Sequence, residues 1–188
     1  MTVKQLRSIY QLKIELQGAK PPIWRRLLVP SDIKLDVLHL AIQVSMGWTD
    51  SHLHQFITKD RKFYGIKEDD LEFDIQDESK FRLSQLLTAE KDNLIYEYDF
   101  GDSWIHTVIL EKVLPFDPEK KLPYCVTGKR ACPPEDCGGI WGYKDLLAIL
   151  ENPEHEDYEE MRDWLEGDFD PTYLNRREIN QLLIEYCR

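Results

Sequence analysis

The chain has 188 residues, 42% of them hydrophobic and 31% charged, and a formal net charge of −11. That length and composition exclude a disordered chain and fit one domain, residues 1–188, with a real core. The acidity, with an isoelectric point near 4.9, excludes direct non-specific nucleic-acid binding, which works through a basic face.

No long apolar run and no apolar segment after Met1 is present, so neither a membrane span nor a secretory leader is expected. Cys125, Cys132, Cys137 and Cys187 are too few for a disulfide framework, and free thiols in the cytoplasm are the expectation. Acidic residues crowd Glu68 to Glu78 and Glu151 to Asp170, which predicts solvated faces, with a docking surface for a basic partner as the alternative.

Tyr10, Leu12, Ile14 and Leu16 alternate with Gln11, Lys13 and Glu15, the pattern of a half-buried strand over 9–16. Gly18 and Pro21-Pro22 turn the chain into a second strand over 23–29, giving an N-terminal hairpin. From Leu35 to Met46 the period becomes 3.6, and Gly47 is placed to end the helix. A short strand is predicted near 52–58, then a loop with a short strand to Lys80.

Residues 93–100 and 103–114 are β-rich runs around Gly101-Asp102, which suits a tight type II′ hairpin. A two- or four-residue loop there pairs Asp99 with Trp104 and Glu97 with His106; a three-residue loop breaks that pairing. Residues 115–140, rich in Pro, Gly and Cys, are expected to form a long functional loop. Three helices close the chain, over 143–150, 153–166 with Asn152 as N-cap, and 176–186 with Asn175 and Glu178 in capping-box spacing. Strands first and helices last predict an α+β fold, a mainly antiparallel sheet built from hairpins, with one helix after the first hairpin and three C-terminal helices packed on it.

Chemistry-bearing residues gather in four places. His52 and His54, two apart on a strand, would share a face and could hold a metal with Asp99 and His106. Such a set suits zinc or manganese. Glu97 and Glu135 are candidate general bases. The rigid Pro133-Pro134-Glu135-Asp136-Cys137-Gly138-Gly139 stretch presents Asp136 as a binding residue, and Trp48 and Trp104 are candidates for an aromatic recognition rim. Cys132 and Cys137 have zinc-ligand spacing but lack a second pair. Arg25 and Arg26 point to opposite faces of their strand: ion pairing with the acidic excess is one reading, and an Arg25 clamp for a carboxylate or phosphate is the other.

Pro22-Ile23-Trp24-Arg25-Arg26, Leu38-His39 through Gln43 to Met46-Gly47-Trp48, His52-Leu53-His54-Gln55-Phe56, Tyr96 to Trp104 and Arg130 to Gly139 occur in this order. Together they resemble the plasmid pRi Orf-three-like family across nearly the whole chain. The resemblance implies a small α+β domain of bacteria and archaea, often near mobile elements, with relatives labelled transposon passenger proteins, and it implies no known activity. Two functions are expected in turn: a binding or accessory module receiving a protein or small ligand, and, as the alternative, a metal-dependent hydrolase, perhaps of phosphoesters.

Overall fold

The computed structural model describes residues 7–67, 75–165 and 167–187. The part of the acidic run at 68–74, predicted as loop, lies outside them, as does Glu166 at the end of a predicted helix.

The strands are β1 (Ser8–Leu16), β2 (Trp24–Pro30), β3 (His54–Ile57), β4 (Phe63–Gly65), β5 (Ile75–Asp77), β6 (Asn93–Tyr98), β7 (Trp104–Pro115) and β8 (Tyr124–Lys129). They form one sheet in the order β5-β4-β3-β6-β7-β1-β2-β8. Every neighbouring pair is antiparallel except β4 and β5. The helices are α1 (Leu35–Met46), α2 (Leu83–Leu86), α3 (Gly139–Leu150), α4 (Tyr158–Trp164) and α5 (Arg176–Tyr186). This is the α+β arrangement that the alternation and the 3.6-residue period predict. Among the described residues no helix is long and apolar enough to cross a membrane.

Side-chain alternation sets the two faces of the sheet. Leu12, Ile14 and Leu16 of β1 join Leu94, Tyr96 and Tyr98 of β6 and Trp104, His106 and Val108 of β7, all buried, with Leu38, Ala41 and Ile42 of α1 in the same core. The opposite face is polar: Glu111 takes two hydrogen bonds from Arg26, at 2.6 and 2.8 Å, and one from Gln11 at 2.8 Å. Gly47 ends α1 in the left-handed region at φ 96°, where a glycine lacks the Cβ penalty.

The central hairpin differs from the tight turn expected. Tyr98 pairs with Trp104, Tyr96 with His106 and Glu97 with Ile105, so five residues, Asp99 to Ser103, make the turn. Asp99 and Ser103 both take positive φ, 58° and 53°, and the Asp99 carboxylate accepts the Gly101 N–H at 2.9 Å. An odd loop shifts the register by one residue and turns Glu97 away from His106.

Three further expectations are corrected. The 115–140 stretch contains β8, which pairs with β2. Its outer edge is covered by Asn180 of α5, whose side chain accepts the Cys125 N–H at 2.7 Å and donates to the Cys125 carbonyl at 3.0 Å, as a neighbouring strand would. The helix predicted from Pro153 starts only at Tyr158. Asn152 spends its capping capacity on a turn, accepting the Glu154 N–H on its side chain and the His155 N–H on its carbonyl. The helix over 143–150 begins earlier, at Gly139.

Candidate functional site

Three connections meet at one end of the core: residues 48–53 after α1, the β6–β7 turn, and the Pro-Pro-Glu-Asp loop before α3. Their hydrogen bonds tie each to the others. Trp48 Nε1 donates to the Pro133 carbonyl at 3.0 Å, and Asp99 N–H donates to the Leu53 carbonyl at 2.8 Å. Glu135 is held at both oxygens, by the Tyr98 hydroxyl on Oε1 and by Thr49 on Oε2, where Thr49 Oγ1 donates at 2.6 Å. Gly138 N–H donates to Asp102 Oδ2 at 3.1 Å. A Cβ on Gly139 would stand 2.4 Å from the Asp102 carbonyl, and one on Gly142 would stand 1.9 Å from the Cys137 carbonyl. Only glycine lets these segments come so close.

This junction gathers His52, Asp99 and Asp136, one ligand atom of each lying within 4.8 Å of the others. His52 Nε2 is 3.1 Å from Asp136 Oδ1 and 3.8 Å from Asp99 Oδ2, yet among the described residues it makes no hydrogen bond. Such spacings are what neighbouring ligands adopt around a common ion when metal–ligand bonds are ~2.0–2.2 Å. One nitrogen and two carboxylate oxygens suit zinc or manganese, and Asp136, with 70% of its side chain exposed, leaves the outer side open to further ligands.

His54 goes elsewhere. It begins β3, while His52 lies in the bend before the strand, so the two imidazoles do not share a face. His54 Nε2 donates to Glu78 Oε2 at 2.9 Å, and the ring stacks on His39 with centroids 3.4 Å apart and planes within 5°. Asp50, which as a carboxylate only accepts, receives a hydrogen bond from His39 Nε2–H at 2.7 Å. His39 Nδ1 therefore accepts from the Tyr96 hydroxyl at 2.9 Å, and that oxygen accepts from Gln43 Nε2 at 2.8 Å. His39, Asp50 and His54 also offer atoms within 4.8 Å. Stacking argues against a shared ion: a ligating lone pair lies in its ring plane, and no position lies in two parallel planes. Burial, with the neighbouring His54, lowers the His39 pKa to about 4.

The other predicted residues separate along the sheet. His106 is fully buried, donates from Nδ1 to the Trp104 carbonyl at 2.9 Å, and lies edge-on to Trp48. Loss of solvation lowers its pKa to about 4. Glu97, on the opposite face, accepts from Gln55 at 2.7 Å and Ser103 at 2.9 Å. Trp48 and Trp104 are buried in the core and form no recognition rim. Cys132 and Cys137 are free thiols whose pKa values burial raises, that of Cys137 to about 12. Arg25 is buried against the last turn of α1, where it donates to the Ser45 carbonyl. Of the ten candidates, His52, Asp99 and Asp136 thus meet in one group. The partners Asp50, Glu78 and Thr49 carry no local motif in the sequence, and His39 stands in the Leu38-His39 word with no sign of a role; only the folded chain places them.

The signature of the plasmid pRiA4b ORF-3-like protein family matches residues 8–178. The uncharacterized protein y4hQ of Sinorhizobium fredii (strain NBRC 101917 / NGR234) is 36% identical over 180 residues, covering 93% of this chain and 90% of that protein. The crystal structure of a protein of unknown function, MM3350 from Methanosarcina mazei Go1, superimposes with a TM-score of 0.83 at 39% identity, covering 93% of this chain and 98% of that one. By sequence signature, relative and fold alike, the chain belongs to the plasmid pRiA4b ORF-3-like family.

Proposed function

We propose that this protein is a cytoplasmic binding module whose loop junction holds a divalent cation, zinc or manganese, on His52, Asp99 and Asp136. The ion's open positions take an oxygen ligand from a partner protein or small molecule. The convergence of the three side chains from three separate loops, with His52 Nε2 left without a hydrogen bond among the described residues, carries this reading. Four free cysteines fit a reducing compartment.

Binding without turnover is favoured over hydrolysis because the candidate bases are engaged. Both Glu135 oxygens accept hydrogen bonds that staple loops together, and Glu97 lies on the other face of the sheet. A general base needs hydrogen-bonding reach to the water it activates.

Isothermal titration of metal-free protein with zinc and with manganese tests the site. One equivalent is expected to bind. His52→Ala and Asp99→Asn remove the binding with the fold intact, Asp136→Asn weakens it, and His54→Gln leaves it in place. Absence of saturable binding by either ion would falsify the cation site.

A further inference from the structure

Arg25 is a second place where the chain leaves chemistry unanswered. Its strand position turns it into the core, where only 2% of it is exposed. Nε donates to the Ser45 carbonyl at 2.6 Å, and Nη1 donates to the carbonyls of Trp24 and Lys129, each at 3.0 Å. All three acceptors are neutral. Among the described residues no carboxylate lies within ion-pairing distance and nothing accepts from Nη2, although the chain carries 35 Asp and Glu. The adjacent Arg26 shows the ordinary outcome, two hydrogen bonds to Glu111. A buried guanidinium is normally matched by an anion.

Arg25 borders a cavity of about 290 Å³ between the C-terminal end of α1, the residues after β8 and the first turns of α5. Val44, Met46, Ile179 and Leu182 give it apolar walls. The eleven-residue α5 opens onto it through Asn175, bringing the positive end of its dipole. Glu178 stands at the same cavity and is the one acidic lining residue. Close approach is built in around Arg25: a Cβ on Gly128 would lie 2.9 Å from Arg25 Cδ and 2.7 Å from the Trp24 carbonyl.

We propose that this cavity binds a small carboxylate with an apolar body, its anionic head on Arg25 Nη2 and its body against the α1 and α5 walls. The site is separate from the cation junction and does not depend on it. The volume stands at the lower limit of small-molecule pockets and suits a ligand of benzoate size.

The test is a titration of isotope-labelled full-length protein, read by NMR at the Arg25 Nε–H and at the Ser45 and Glu178 amides, with benzoate, neutral benzamide and inorganic phosphate as probes. Saturable benzoate shifts at these positions, with benzamide at least tenfold weaker, are expected. Leu182→Trp, which fills the cavity from its α5 wall and leaves Arg25 in the chain, abolishes the response; Ile179→Phe serves if that variant fails to fold. Glu178→Gln tightens binding several-fold by removing the competing charge. Equal binding of benzamide, binding of phosphate alone, or benzoate shifts that persist in a folded cavity-filled variant overturn the proposal.

Discussion

At the scale of single residues, the buried histidines make stability depend on pH. His39 and His106 hold folded pKa values of about 4, whereas an unfolded imidazole titrates near ~6.5. Between those values the unfolded chain binds more protons than the folded one, so stability falls as pH drops from ~6.5 toward ~4 and is level above that window. Each histidine contributes a slope of up to ~1.4 kcal/mol per pH unit. Urea unfolding at intervals between pH 5 and 6.5, above the ordinary carboxylate range, is expected to show this slope, and His106→Leu to reduce it; an unchanged slope in that variant removes His106 as its source. Burial beside His54 is the physical reason at His39; at His106, burial combines with an Nε2 that has no partner among the described residues, a bare lone pair that needs no donor but whose proton would have no acceptor.

Among elements, the loop junction depends on how closely α3 starts against the β6–β7 turn. Gly139→Ala forces a Cβ into the Asp102 carbonyl at a position with φ 67°, and a cost of ~2 kcal/mol or more is expected from combined clash and strain. The measurements are thermal melting and cation titration together, because the same shift displaces Asp136. A variant that melts like the wild type and binds the ion equally well contradicts this coupling. Elements with a clean period were legible in the sequence: the alternation over β1 and the apolar stripe of α1 closed by Gly47. The central hairpin was not, since its register turns on a five-residue loop in which Asp99 and Ser103, rather than glycines, take positive φ. That one-residue difference placed Glu97 beside His106 in the sequence reading and puts them on opposite faces in the fold. β8 was hidden because Pro123 precedes it, Gly128 interrupts it, and its edge is completed by a side chain, Asn180, distant in sequence. His52, Asp99 and Asp136 could be named one by one from residue type, but their meeting depends on three loops docking together, which no local pattern encodes.

For the whole molecule, the acidic excess acts as a field. Charge of −11, with Arg162 the one Lys or Arg between Glu151 and Asp170, opposes compaction by self-repulsion. Raising ionic strength from ~0.01 to ~0.15 M shortens the Debye length from ~30 to ~8 Å, so the melting temperature is expected to rise over that range. Replacing Glu156, Glu159 and Glu160 by Gln should shrink the rise; a rise of the same size in that variant places the repulsion elsewhere. The sheet order has a consequence for synthesis. β1 sits between β2, which follows it at once, and β7, which ends at Pro115. During translation the first hairpin, complete at Pro30, therefore emerges with both outer rows of amides and carbonyls open: that of β1 waits for β7, about 85 residues further on, and that of β2 waits for β8 beyond it. These open rows are the edges most prone to aggregation, and chaperone demand should fall in two steps, as β7 and then β8 become available to close them.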